Sequence, residues 1–355
     1  MYLKDSNLQV KPRRIKRKQK FLDQLSTKLR QVEASEQVYE NSNISACAMF
    51  IIPEIDEPDE GRFLHDLVVR NGYTIMEPPD IPDQASIINT IARYVFRSTI
   101  DLRHRYYNIR IQSSHENHSA SVTLSGTYST RIMQQGDSNC VTILQKIMNN
   151  LFSNQTQIII SVYIDDMCIF NSTYKEDLAH VRTVIQSVTD HKFLACSGKS
   201  QFLAYRGKSQ FLPDVLSIWA HIITKRGISP PPQKVTTTPD WPDLQQRQKL
   251  KSLLWMVNFL HQFAPNPATV SSPPTELAGS TSTWDWTPLP SKTFQEVNFT
   301  LAADAAGRPL DYNSIESIHL VTDAALLGSG ALVGQGANRN EIRPVLFHSS
   351  NFNPT

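Results

Sequence analysis

Two aspartates, Asp165 and Asp166, stand side by side in an apolar stretch running from Gln157 to Phe170 (Gln-Ile-Ile-Ile-Ser-Val-Tyr-Ile-Asp-Asp-Met-Cys-Ile-Phe). Side chains on a strand alternate faces, so the two acids share a side only if a turn carries them. Carboxylates held that close repel, and one of them resists ionisation unless a cation lies between them. Magnesium removes the repulsion: it takes a few carboxylate oxygens and keeps sites for water and substrate phosphates. A third acid, Asp101, lies near the end of a separate apolar segment, Tyr94 to Leu102. Three acids converging from two strand ends would hold two metals about 3.5–4 Å apart, the spacing that serves in-line phosphoryl transfer. By itself, the Asp-Asp pair fits a turn or capping pair equally well.

Such a cluster needs a sheet to carry it and helices to brace the sheet. Ala46 to Ile52 is strand-like and stops at Pro53. Arg62 to Val69 reads as a second strand, closed by Asn71-Gly72. After a bend at Pro78, Pro79 and Pro82, a short helix carries Ile87, Ile88, Ile91 and Val95 on one face. Val141, Leu144, Ile147, Met148 and Leu151 mark a buried helix face. The next helix opens with a capping box, Thr173-x-x-Glu176, and buries Leu178, Val181, Val184, Ile185 and Val188. Ser229-Pro-Pro-Pro232 is a stiff linker. Near the end, Ile318 to Asp323, Gly328 to Gly336 and Pro344 to His348 read as successive strands of another sheet. The hexapeptide Gly-Lys-Ser-Gln-Phe-Leu occurs twice, at 198–203 and 207–212, a local duplication in one surface loop. The element order gives an α+β class, an antiparallel sheet with packed helices.

With 355 residues, 40% of them hydrophobic, the chain is long enough for two or three domains. No apolar run reaches the ~18 residues of a membrane span, so no membrane partner is expected. The net charge is only +2, so any nucleic-acid-binding surface must be local. One such locality is Lys11-Pro-Arg-Arg-Ile-Lys-Arg-Lys-Gln-Lys20, with seven basic residues in ten. It reads equally as a phosphate-binding arm or nuclear-import signal and as a solvated, charged lead. Cys47, Cys140, Cys168 and Cys196 show no metal-type spacing and read as reduced thiols of an intracellular protein.

Several short boxes, in order, resemble the polymerase segment of gypsy-type long-terminal-repeat retrotransposons. Tyr163-Ile164-Asp165-Asp166 is similar to the active-site box of reverse transcriptases. Ile100-Asp101-Leu102 followed by Tyr106 to Ile111 resembles the box with the first catalytic acid, and Met133-Gln-Gln-Gly136 with Asn139 resembles the box beside template and nucleotide. Ile222 to Ile228, Asp240-Trp241-Pro242, Val257-Asn258-Phe259 and Thr275-Glu276-Leu277 follow in the family's order, and Val321-Thr322-Asp323-Ala324 resembles the start of an RNase H domain.

The resemblance implies an α+β right-hand polymerase with fingers, palm and thumb, followed by a partial RNase H-like α/β domain. It divides the chain into a basic, partly helical arm (1–45), fingers and palm (46–228), thumb and connection (229–283) and a truncated RNase H-like part (284–355). Asp101, Asp165 and Asp166 would be the catalytic metal ligands for two Mg2+ ions, with Mn2+ as a substitute. Arg62 would contact the triphosphate, Tyr106 would form the wall under the sugar, and Gln135 and Gly136 would lie beside the nucleotide. The partners would be an RNA or DNA template with primer and deoxynucleoside triphosphates, in the cytoplasm and nucleus. RNase H activity is expected to be absent, since Asp323 alone cannot hold two metals.

The sequence also departs from the family. Arg105 stands where a small residue is usual, Cys140-Val141-Thr142 replaces Ala-Pro-Ala, and Trp219-Ala220 replaces Leu-Gly in the primer-gripping hairpin. The fingers loop Glu54 to Glu60 is acidic where lysines are common, which repels a triphosphate. Two outcomes stay open: a polymerase, whether intact or impaired, and a decayed, non-catalytic remnant of the same fold that at most binds nucleic acid.

Overall fold

The structure, a computed structural model, describes residues 3–5, 8–12, 19–43, 45–52, 61–103, 106, 109–123, 125–156, 158–190, 203–204, 209–225, 227–231, 310, 314–325 and 328–351. The expected features at Arg105, Glu54 to Glu60, Cys196 and the thumb segment over 232–283 lie outside these residues. In chain order the elements are α1 (Gln19–Ala34), β1 (Val38–Asn41), β2 (Cys47–Ile52), β3 (Arg62–His65), α2 (Val68–Tyr73), α3 (Gln84–Ala92), β4 (Phe96–Arg103), β5 (Ser121–Val122) and β6 (Thr127–Thr130). There follow α4 (Cys140–Leu151), β7 (Ile160–Tyr163), β8 (Asp166–Asn171), α5 (Tyr174–Asp190), β9 (Leu203–Ala204), β10 (Gln210–Phe211), β11 (Leu216–Ile218), β12 (His221–Thr224), β13 (Gly227–Ser229), β14 (Ser317–Ala325), β15 (Gly328–Gly336) and β16 (Arg343–Asn351). They fall into two compact units, Met1–Gln84 with Phe96–Phe211, and Ala85–Val95 with Leu212–Thr355.

The first unit holds two sheets. One has the order β1-β6-β5-β2-β3, antiparallel throughout except for the β2–β5 pair. The amphipathic α1 lays Leu25 and Leu29 on Met49, Ile51, Phe63 and Tyr128 of this sheet. The other sheet has the order β10-β4-β8-β7, with β9 also on β4. Its alternating residues Ile100, Leu102, Ile160, Val162, Met167 and Ile169 form one core with Leu144 and Met148 of α4 and Val181, Val184 and Val188 of α5. This antiparallel sheet with two helices behind it is the platform that the apolar spacing of 141–151 and 178–188 calls for.

The capping box at the start of α5 forms as expected: the Thr173 N–H donates to Glu176 Oε2 (3.1 Å) and the Glu176 N–H to Thr173 Oγ1 (3.3 Å). Buried Asp177 then ties the helix to the sheet, accepting from Ser98 Oγ and Asn171 Nδ2, both at 2.8 Å. Cys47, Cys140 and Cys168 are buried free thiols, and burial pushes all three up from their ordinary pKa.

One local expectation fails. Arg62 to Val69 is not a single strand: β3 ends at His65, and Val68–Tyr73, which includes the expected Asn71-Gly72 turn, is the short helix α2. A strand would bury its valines, yet Val68 is 70% exposed while Arg70 is 1% exposed. Arg70 turns inward to polar partners distant in sequence, and that tertiary demand overrides the β preference of the two valines.

The ends of both copies of the duplicated hexapeptide reach strands that pair with β4. Leu203–Ala204 pairs with Leu102 and Arg103, and Gln210–Phe211 pairs with Thr99 and Ser98.

In the second unit, β11-β12-β13 and β14-β15-β16 are antiparallel three-strand meanders. The β11–β12 turn is Trp219-Ala220, between the paired Ile218 and His221, with φ of 47° and 60°. Two successive positive φ values make this the turn class that Asn-Gly suits. An L-residue with a Cβ costs about 1–2 kcal/mol in that region. Ala220→Gly is therefore expected to raise stability by ~1 kcal/mol, a gain of a few degrees in melting temperature. Thermal unfolding of the two proteins checks it; an unchanged or lower midpoint would show that the turn is not strained. Among the described residues no helix is long and apolar enough to cross a membrane.

Candidate metal centre

The hairpin of β7 and β8 closes at the Tyr163–Asp166 pair, leaving Ile164 and Asp165 as its two turn residues. The turn carries one acid and the first residue of β8 the other, which is how adjacent residues escape strand alternation. Across β8, Asp166 lies directly opposite Asp101 of β4. Ligand oxygens of Asp101, Asp165 and Asp166 all lie within 4.8 Å of one another, and all three residues are half-buried. Three carboxylates at this separation are a hard-oxygen donor set, open to solvent on one side, that suits magnesium or manganese.

The hairpin tip is strained and braced. Ile164 has φ +59°, a genuine outlier for a β-branched residue, costing about 1–3 kcal/mol. Gln145 of α4 holds it there. This fully buried side chain accepts from the Ile164 N–H (2.6 Å) and donates to the Val162 carbonyl (3.1 Å) and Asn149 Oδ1 (2.8 Å). Sequence reasoning passed over Gln145, although a polar residue at the spacing of Val141, Leu144 and Met148 on an apolar helix face was the available sign. Asp101 has a brace of its own: its backbone N–H donates to Ser209 Oγ (3.3 Å), from the second hexapeptide copy. Beneath the acids, burial and the Asp166 charge keep Cys168 protonated.

Residues 54–239, just over half of the chain, match the family described as reverse transcriptase (RNA-dependent DNA polymerase). The chain belongs to this family. Over 315 residues, 88% of its length, this reverse transcriptase chain is 22% identical to the Transposon Tf2-3 polyprotein of Schizosaccharomyces pombe (strain 972 / ATCC 24843), and it spans 22% of that polyprotein. The Transposon Tf2-7 polyprotein of the same organism matches to the same extent. Among solved structures, the foamy viral protease-reverse transcriptase dRH in complex with double-stranded DNA superposes with a TM-score of 0.84 at 17% identity, covering 99% of this chain and 59% of that one. The foamy viral enzyme in complex with an RNA/DNA hybrid gives 0.80 at 17% identity, covering 99% and 46%. The fold is that of reverse transcriptases, the mixed helix-and-sheet polymerase hand that the sequence implies.

The other expected site residues are placed variously. Arg62 is exposed at the start of β3. Gln135 is half-buried and Gly136 exposed. Gly136 has φ +96°, and a Cβ there would meet only Leu67 at 3.9 Å, so backbone conformation and not space requires glycine. Tyr106 is 8% exposed and packs in the core with Ile109, Met133 and Cys140. Asp323 lies exposed on β14, opposite Gly330, and accepts from the Ala324 N–H (3.0 Å).

Gln134, the neighbour of the expected Gln135, is the buried one, at 4% exposure. It donates to the Ser119 carbonyl (2.8 Å), Ser121 Oγ (3.2 Å) and His65 Nδ1 (3.2 Å). Burial first, and the Arg70 charge second, hold His65 neutral, with its pKa down to about 3.

Proposed function

We propose that the chain is the RNA-directed DNA polymerase of a gypsy-type long-terminal-repeat retrotransposon, extending a primer 3′-hydroxyl on an RNA or DNA template. The observation that carries this reading is the convergence of Asp101, Asp165 and Asp166 within 4.8 Å from two strand ends. The transposon polyproteins it resembles and the DNA and RNA/DNA hybrid bound by its structural neighbours support the substrate class. The three carboxylates would hold two Mg2+ ions, or Mn2+ in their place, which when bound supply activation of the primer hydroxyl and neutralisation of the leaving pyrophosphate. The chain's own contribution is a braced turn that presents Asp165 and Asp166 opposite Asp101, so little reorganisation precedes transfer.

On this reading Arg62 meets the triphosphate of the incoming deoxynucleotide, Gly136 lets the backbone approach the base with Gln135 beside it, and Tyr106 backs the sugar pocket from within the core. The proposed division is a basic arm (1–45), fingers and palm (46–228), thumb and connection (229–283) and an RNase H-like part (284–355). Asp323 is proposed to support no RNase H chemistry by itself, since one carboxylate cannot hold two metals. The basic run from Lys11 to Lys20 fits a protein that works in the cytoplasm and nucleus.

A second reading, a decayed remnant, draws on the β11–β12 hairpin, where two left-handed turn positions carry Trp219 and Ala220 instead of glycine. Primer extension with Mg2+, deoxynucleotides and an RNA template separates the two. Weak, Mg2+-dependent extension by the natural chain is expected, rising at least about tenfold in Arg105→Gly, because the resemblance implies a small residue where this long cation stands and a cation competes with metal for carboxylate charge. Hybrid binding without extension by either protein would favour the remnant.

A further inference from the structure

The end of α2 grips the loop between β6 and α4 at three successive residues. Asn71 Nδ2 donates to the Gly136 carbonyl (2.9 Å), Arg70 Nη2 pairs with Asp137 Oδ2 (3.2 Å), and Asn71 Oδ1 accepts from the Ser138 N–H (3.2 Å). Arg70 Nη1 also donates to Gln134 Oε1 (2.5 Å) and the His118 carbonyl (2.8 Å). The Arg70 and Asp137 side chains are 2% and 10% exposed, and Arg70 Nε has no hydrogen-bond partner.

A guanidinium buried with one N–H unmet is a costly way to stabilise a fold, since apolar pairs of similar volume often do as well or better. What the pair does that an apolar pair cannot is fix the register of the loop, because its bonds are directional. The loop faces two ways. Gln134 and Asp137 anchor it inward, while Gln135 is half-buried and Gly136 exposed. The anchors bracket the positive-φ glycine on both sides.

We infer that Arg70 and Asn71 are positioning residues that set the loop Gln134–Asn139 for the incoming deoxynucleoside triphosphate, the Arg70–Asp137 pair serving nucleotide affinity more than stability. This rests on the polymerase reading above. A dideoxy-terminated primer on an RNA template, bound to the full chain, is titrated with the next complementary deoxynucleotide, and retention of the ternary complex is measured beside the thermal midpoint.

Arg70→Leu alone is expected to lower the midpoint, because Asp137 is left buried without its partner. Arg70→Leu combined with Asp137→Leu is expected to recover part of the lost midpoint, Gln134 Oε1 and the His118 carbonyl still lacking their donor, yet need at least about tenfold more nucleotide, with template-primer affinity unchanged within twofold. Asn71→Ala removes only half-buried bonds, so it should fold as the natural chain does and weaken nucleotide binding by about three- to tenfold. A double variant and an Asn71→Ala variant that both bind nucleotide like the natural chain would overturn the inference and leave the polymerase reading standing. A natural chain that binds template-primer but forms no ternary complex would overturn both.

Discussion

Asp165→Asn is expected to cut primer extension by at least about 10²–10³-fold, the scale for losing one preorganised electrostatic stabiliser, while the fold survives. The substitution is nearly isosteric, and residue 165 is a half-buried turn position whose side chain joins the carboxylate group. It removes one negative charge of three. At about 5 Å two like charges repel by a few kcal/mol at an effective dielectric of about 20, and solvent at this half-open site reduces that further. Activity and stability should therefore move apart. Extension collapses, while the melting temperature measured in EDTA stays level or rises.

A ligand that binds only the folded chain raises its apparent stability. The natural chain should accordingly gain in melting temperature with millimolar Mg2+ or Mn2+, and the variant should lose most of that gain. Asp101→Asn should behave alike, because the two residues serve one donor set from different strands. Extension by Asp165→Asn within tenfold of the natural chain would sink the assignment of this cluster as the metal centre.

Gln145→Leu is expected to lower extension by about 10²-fold without any contact between residue 145 and substrate. Its amide is the partner of the Ile164 N–H and the Val162 carbonyl, so leucine leaves both short of a bond, at about 1–3 kcal/mol for an unsatisfied buried group. It also frees Ile164 to leave its left-handed conformation, moving the acid that follows. Displacement of a reacting group by about 1 Å can cost about 10²-fold.

Gln145→Glu should fall between the two, since a carboxylate still accepts from the Ile164 N–H but no longer donates to Val162. Ile164→Gly placed on Gln145→Leu should restore part of the activity, because glycine holds positive φ without a brace. Single-turnover extension with saturating nucleotide reads all three variants. A Gln145→Leu rate within threefold of the natural one, in a chain with normal metal binding, would show that the turn keeps its shape unaided.

The part of the site legible beforehand was the part written locally. An Asp-Asp pair in an apolar hairpin, an acid near the end of another apolar strand, helix faces at 3.6 spacing and the Thr173-x-x-Glu176 box are patterns within a dozen residues, and the structure realises each, except that Val95, Leu178 and Ile185 of the expected helix faces stay exposed. Arg70 was not legible, and Gln145 showed only as a polar break in an apolar helix face, because the partner of each lies far along the chain. Arg70 answers to Gln134 and Asp137, Gln145 to the 162–164 backbone. The misassigned strand over 62–69 has the same cause: two valines suggested a strand, and a buried guanidinium made a helix.

Local pattern was enough for the cast: the polymerase family, the three acids and the sheet with two helices that carries them. It took the packed fold to bring Asp166 into register with Asp101, to hold Ile164 left-handed by a glutamine from α4, to seat Tyr106 in the core and to let α2 grip the loop around Gly136. Periodicity and turn chemistry act between near neighbours and leave a trace in the string of residues. Hydrogen bonds across 19, 64 or 67 positions leave none, since any polar residue placed there by the fold can serve.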